Sequence, residues 1–294
     1  MSTATVPTMS QPIVPGGSRS SGIFEALNAL APIGLDELNG IAALQARVDR
    51  KYLLPATVAT SLLQQLGGSA RVLQVGGGRE TRYASVYFDT PALDCFRGTA
   101  HRRRRRFKVR TRSYSDTGGS FLEVKTRTGR GLTVKNRTEH PVDAVNHLGG
   151  DGRRYVAAVL GAAGIDPATA DALEPVLRTD YRRATLYLPV GNTRLTIDSG
   201  LRWRGFGRCC GQSCGLDDLV VVETKSPGAP GRADRLLWAA GIRPAPLSKY
   251  GTGMALLQPG LPSNRWHRVL HQQIRSAATP IRSRCDAADQ GGSS

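Results

Sequence analysis

Two stretches of this chain place a glutamate and a lysine one residue apart within an apolar run: Leu122-Glu123-Val124-Lys125-Thr126-Arg127 and Val222-Glu223-Thr224-Lys225. Lys108, Arg110 and Arg112 keep the same alternate spacing, as do Lys135 and Arg137, and Arg194 and Asp198. Successive side chains of a strand point to opposite faces, so each run gathers its charges on one face. Lysine and arginine neutralise phosphate oxygens, arginine in bidentate fashion, and carboxylates hold a hard divalent cation that bridges such oxygens. Both signs on one face therefore suit phosphate chains with a metal, whereas a duplex-binding surface has no use for Glu123, Asp198 and Glu223 among its cations. A plainer reading makes Glu123 and Glu223 partners in cross-strand ion pairs, worth about 0.5 kcal/mol each, on a face turned to water. Alternation leaves two arrangements open: a solvated sheet face, or a barrel whose polar face points inward and whose apolar exterior is covered by helices.

About eight strands are needed to hold these faces, and the patterning supplies them over residues 45–54, 81–89, 101–114, 120–128, 131–140, 176–188, 194–203 and 219–225. In the first, Arg47, Asp49 and Lys51 share one parity. The loops Asp116-Thr117-Gly118-Gly119 and Gly129-Arg130-Gly131 suit antiparallel neighbours. Helical spacing covers 56–66, closed by Gly67-Gly68, then 152–173 in two pieces around Pro167, 231–240, and a short last helix over 248–257. Residues 1–22, rich in Ser, Thr, Gly and Pro, read as a disordered tail and 259–294 as a basic, weakly structured one, which leaves a single α+β domain over 23–258.

Lys and Arg number 40 against 23 Asp and Glu in 294 residues, a net charge of +17, so polyanionic partners are expected. The five cysteines are odd in number and lack balanced spacing, which reads as free thiols in a reducing compartment. With no apolar run of the roughly 18 residues needed to span a membrane and no apolar signal core, the chain reads as cytoplasmic and soluble. There is no phosphate-binding Gly-rich loop before a helix, no serine nucleophile elbow, and the five histidines lie apart. Arg102 to Arg106 is the densest charge, and in isolation would read as a nucleic-acid-binding stretch.

Taken in order, RVDRKYLLP (47–55), YASVYFDTP (83–91), RRRRFKVRTRSY (103–114), FLEVKTRTGRGLTVKNR (121–137), LRTDYRRATLY (177–187), RLTIDSGLRW (194–203), VVVETKSPG (220–228) and LSKYGTGMALL (247–257) resemble the bacterial members of the VTC family. That family takes its name from the catalytic domain of a polyphosphate polymerase in the triphosphate tunnel superfamily. The resemblance implies a closed, antiparallel eight-stranded β-barrel with a polar interior, flanked by helices. It implies Lys51, Arg110, Arg112 and Lys249 as catalytic residues, and Lys108, Lys125, Arg127, Lys135, Arg137, Arg178, Arg194 and Lys225 as phosphate ligands. Glu223 would hold manganese or magnesium, with Glu123 and Asp198 as further candidates. Tunnel hydrolases and cyclases of the superfamily open with E-x-E-x-K. Here the same spacing reads Arg47-x-Asp49-x-Lys51, which favours the polymerase branch.

The implied function is transfer of the ATP γ-phosphoryl group to the end of a growing polyphosphate chain. A terminal phosphate is already an anionic nucleophile, so the lack of a nucleophile motif agrees with it. Water attacking the same bound ATP would make the protein a triphosphatase, and a non-catalytic polyanion-binding module built on Arg102 to Arg106 is the third reading. The expected partners are ATP and polyphosphate, with no specific nucleic acid, and a membrane-protein partner would supply the translocation that the chain lacks.

Overall fold

The computed structural model describes residues 20–41, 48–116, 118–129 and 131–281. Its alternating runs form the strands β1 (Val48–Pro55), β2 (Thr81–Asp89), β3 (Arg106–Tyr114), β4 (Ser120–Arg127), β5 (Thr133–Glu139), β6 (Glu174–Leu188), β7 (Thr193–Gly205) and β8 (Leu219–Ser226). They pair antiparallel in the order β1-β8-β7-β6-β2-β3-β4-β5. Four short strands, Ala31–Ile33, Arg71–Leu73, Ser213–Leu216 and Ala278–Pro280, extend the same sheet.

In the strands other than β5 one parity is largely apolar, and this half meets the helices α1 (Ser20–Asn28), α2 (Leu35–Ile41), α3 (Ala56–Leu66), α4 (Asp94–Ala100), α5 (Gly149–Ala162), α6 (Arg232–Ala239) and α7 (Lys249–Leu257). Tyr52, Leu54, Ile197 and Val222 pack with Leu27 of α1, Leu63 of α3 and Leu237 of α6. Val109, Leu122 and Val124 pack with Phe96 of α4, Leu160 of α5 and Met254 of α7. Burying one such side chain contributes roughly 1.5–3 kcal/mol, and a one-residue slip would expose the whole set, so the apolar parity fixes which way the charges face.

The barrel differs from expectation at one seam. Among the described residues β1 pairs with β8 alone and β5 with β4 alone, so the hydrogen-bonded ladder is not closed. β5 is the reason: it is largely exposed and carries Lys135, Arg137 and Glu139 on one parity, the charged edge that discourages further pairing.

The chain past 258 also differs from a weakly structured tail. Trp266, Val269, Leu270 and Ile274 are buried in the core, helical turns run from His267 to Ala277, and Ala278–Pro280 pairs with Ser213–Leu216. The apolar residues recur at helical spacing, but basic and polar neighbours dilute the pattern. At the other end α1 begins at Ser20, inside the stretch expected to be a disordered tail, while residues 1–19, Arg47 and 282–294 lie outside the described residues. Cys95, Cys209 and Cys214 are free, but Cys210, in the turn before Ser213–Leu216, is disulfide-bonded, against the expectation of free thiols. No described helix is long and apolar enough to cross a membrane.

α7 is held by unusually close packing. A Cβ on Gly251 would overlap the Trp266 ring, and one on Gly253 the Trp203 ring. The same Trp203 donates its Nε1–H to the Lys249 carbonyl at 2.7 Å, and the Tyr250 hydroxyl bonds the buried Asp89, which also accepts from the Cys95 and Phe96 amides of α4. Replacing Gly253 with Ala should therefore cost about 1–3 kcal/mol of stability in a denaturant melt, the usual range for overpacking.

Candidate active site

The polar parity of the strands encloses a cavity of about 580 Å³, within the range of small-molecule sites. Backbone register sets its layout. Lys51 lies opposite Glu223 and Asp49 opposite Lys225, which in turn faces Arg194 on β7. Tyr87 lies opposite Arg110, Arg110 opposite Glu123, and Lys108, Lys125 and Lys135 follow one another across β3, β4 and β5. α7 packs across one end, where Leu247, Ser248 and Lys249 join the lining and Tyr250 stacks on Tyr87 at 5.0 Å.

Glu123, Asp198 and Glu223 are each shared between cations. Glu123 takes Arg110 at 2.6 Å, Lys135 at 2.7 Å and Arg112 at 4.0 Å. Asp198, fully buried beneath the lining, accepts both Arg183 Nε (2.6 Å) and Nη2 (2.8 Å), and also the Lys249 ammonium. Glu223 binds Lys225 at 2.6 Å and Lys51 at 3.3 Å. Burial alone would raise the Glu123 and Glu223 carboxyls, yet the neighbouring cations outweigh it and hold both well below the usual carboxylate range. Asp198 is lowered for the same reason, by Arg183 and Lys249.

Rings lie under the guanidinium groups: Arg112 over Tyr83 at 5.3 Å, Arg183 over Tyr83 at 5.1 Å and Tyr181 at 5.4 Å, and the Lys249 ammonium over Tyr181 at 4.4 Å. Their negative faces hold cations close without adding a competing carboxylate. Two groups are tuned toward neutral pH. Burial pushes the Lys108 ammonium down to about 8, with Arg110 and Lys125 repelling it further. Burial would raise the Tyr87 hydroxyl, but Arg110, Lys108, Arg112 and Lys249 bring it down to about 8. Burial and then the charges of Lys51 and Lys225, facing it across the cavity, lower Lys125.

Of the residues singled out by sequence, Lys51, Lys108, Arg110, Arg112, Glu123, Lys125, Arg127, Lys135, Arg194, Glu223, Lys225 and Lys249 all line this cavity. Arg178 does not. It lies on the opposite parity of β6 from Tyr181 and Thr185 and pairs with Asp180 at 3.0 Å. Arg137 is also outside the lining, its guanidinium 4.4 Å from the Phe121 ring centroid at the far end of β5. The inward arginine of β6 is Arg183, which sequence reasoning missed. Its signal was present, since Tyr181, Arg183 and Thr185 share a parity and Arg182 is exposed. Tyr83 and Tyr87, alternate residues of β2, were likewise legible as inward by parity but carry no charge to draw notice.

The donor set restricts where a metal fits. Glu123 and Asp198, candidates for metal binding by sequence, are enclosed by arginine and lysine, and Glu223 is paired with Lys225 and Lys51. Asp49 and Glu223 both reach Lys225 Nζ, at 3.3 and 2.6 Å, so two carboxylates converge on one small cation. That pair suits a magnesium-type ion, which is held by one or two carboxylates and completes its shell with water and substrate phosphates. Among the described residues no group of three or more His, Cys, Asp or Glu is placed to hold a metal unaided.

The VTC domain family model matches residues 46–258. No curated protein matches the chain. Solved structures with similar backbones include a candidate adenylate cyclase from Bacillus halodurans, at 14% identity over 69% of this chain and 94% of that one, with a TM-score of 0.43. Another is a candidate adenylyl cyclase from Hippeastrum described as revealing a dominant triphosphatase activity, at 16% identity over 74% and 99%, with a TM-score of 0.41.

Lys108 is charged below its pKa near 8 and neutral above it, while Tyr87 gains negative charge above the same point, so both changes oppose anion binding as pH rises through 8. Calorimetric affinity for tripolyphosphate should fall by about tenfold between about pH 7 and pH 9. In the Lys108→Arg/Tyr87→Phe variant that fall should disappear.

Proposed function

The chain belongs to the VTC domain family, and from that premise we propose that it is a polyphosphate polymerase, transferring the γ-phosphoryl group of ATP to the end of a polyphosphate chain. The observation that carries this reading is the composition of the cavity wall. Cations from β1, β3, β4, β5, β6, β7, β8 and α7 converge on one space, and among the described residues no histidine or cysteine lines it. Such a wall has little covalent chemistry to offer, and phosphoryl transfer asks for little: positioning and charge neutralisation do most of the work.

In this reading Lys51, Arg110, Arg112, Arg183 and Lys249 grip the donor triphosphate, and Lys108, Lys125, Lys135, Arg194 and Lys225 extend the grip along its length. The terminal phosphate oxygen of the acceptor chain attacks the γ-phosphorus. A new P–O–P bond forms, the bond to the β-phosphate oxygen breaks, and ADP leaves with that electron pair. The acceptor is anionic at neutral pH, so no general base is needed. Repulsion between two anions is the obstacle, and fixed cations in a water-poor cavity lower it. Asp49 and Glu223 would hold a manganese or magnesium ion, which supplies further charge neutralisation at the phosphate oxygens. Arg47-x-Asp49-x-Lys51 leaves one acidic position fewer than the superfamily's hydrolases, in keeping with transfer to phosphate instead of water.

Incubation with ATP and manganese should yield polymer resolvable on a gel, with ADP as co-product; free phosphate without polymer would make the protein a triphosphatase. Glu223→Ala, Lys249→Ala and Arg183→Ala should each abolish turnover in folded protein. Arg178→Ala, outside the cavity, should leave turnover near the wild-type level, and loss of activity there would overturn the inward assignment of β6.

A further inference from the structure

The densest charge of the sequence is not consumed by the tunnel. Arg102, Arg104 and Arg106 line an open groove of about 850 Å³ outside the cavity, together with Arg127 and Arg265. Arg106, Arg127 and Arg265 line the cavity as well, so groove and tunnel share a border of three arginines. A single segment supplies both: Arg102 and Arg104, before the strand begins, line the groove, Arg106 lies at the border, and Lys108, Arg110 and Arg112 of β3 line the cavity. The turn that brings the outer part into line is itself strained, since Arg102 sits at φ 54°, a left-handed conformation that non-glycine residues adopt at a cost.

The charge balance of the groove differs from that of the tunnel. Inside, Glu123, Asp198 and Glu223 are each bracketed by two or more cations. Outside, among the described residues, none of the five arginines forms an ion pair with a carboxylate. Arg106 donates to the Arg103 carbonyl at 2.6 Å and Arg265 to the Thr99 carbonyl at 3.2 Å, neutral partners that orient the side chains without cancelling their charge. Burial and then repulsion among Arg102, Arg106, Arg127 and Arg265 lower the proton affinity of Arg106 and Arg265. This unneutralised cluster calls for a polyanion. Among the described residues no aromatic side chain lines the groove, so they offer no platform on which unpaired bases stack.

We infer that this groove is a second binding site for linear inorganic polyphosphate, holding the part of the chain that lies outside the tunnel while the reacting end lies within. The inference rests on the tunnel's being a polyphosphate site. It adds a consequence: a chain anchored at the mouth stays with the protein between additions.

The test uses the whole chain without ATP, with fluorescently labelled long-chain polyphosphate as the probe and tripolyphosphate, short enough to fit within the tunnel, as the internal control. Arg102 and Arg104 are exposed, so Arg102→Ser/Arg104→Ser should fold normally. Its affinity for the long chain should fall about tenfold, and the slope of log affinity against log salt should become shallower by about one to two, as expected for two lost phosphate contacts. Tripolyphosphate affinity should not change. Unchanged long-chain affinity would overturn the inference, as would single-stranded RNA that binds as tightly as polyphosphate and is lost in the same variant. Because binding is read without turnover, a wild-type protein that makes no polymer yet holds long polyphosphate through Arg102 and Arg104 would refute the proposed activity and support this site.

Discussion

Everything in this protein follows from having to confine many like charges in one small space before any substrate arrives. Two cations 4 Å apart repel by about 4 kcal/mol at the effective dielectric near a protein surface, so a cavity lined with lysine and arginine alone would push its own walls apart. Glu123, Asp198 and Glu223 prevent this by each standing between two or more cations. The acids are therefore braces as much as ligands. A triphosphate entering the cavity competes with them for the same donors and brings more negative charge than they do. The tyrosines beneath Arg112, Arg183 and Lys249 steady those cations by a second route, one that a phosphate need not displace.

The braces work only because the outside of the sheet is held rigidly. Apolar residues on the opposite parity lock each strand's register against the helices, and the register fixes which cation meets which acid. Lys249 depends on this most, since it comes from a helix and not from the sheet. Trp203 and Asp89 clamp the flanking backbone and Tyr250, and two glycines allow the helix to approach the tryptophan rings. The final helical turns, with Trp266 in the core, support the same helix from behind.

Much of this was legible in the sequence because period-two alternation is a direct record of facing. It grouped Lys108, Arg110 and Arg112, Lys125 with Glu123, and Lys225 with Glu223 on one face of each strand, while the choice between a solvated face and a lined barrel came from the family resemblance. It failed where a different signal was trusted in its place: Arg178 was chosen by its position in a motif, whereas parity with Tyr181 points to Arg183. The role of Asp198 was hidden for another reason. A carboxylate on an inward parity reads equally well as a metal ligand or a counter-ion, and parity says nothing of Arg183 and Lys249, one from the neighbouring strand and one from a distant helix, which pair with it. The folded segment after Leu257 was obscured by its basic composition, which dilutes an apolar face that is otherwise regular.

The unpaired seam between β1 and β5 bears on the shape of the tunnel. In a fully laced barrel, strand number and stagger dictate the radius. Here, among the described residues, no backbone bond spans the gap, so no ladder fixes the spacing of β1 and β5, and the charges of Lys51, Asp49 and Lys225 all act on Lys125 of β4. With the ladder open along one line, the rule that fixes the radius of a laced barrel by strand number and stagger does not bind there, and side-chain pairing has to carry what backbone pairing carries elsewhere.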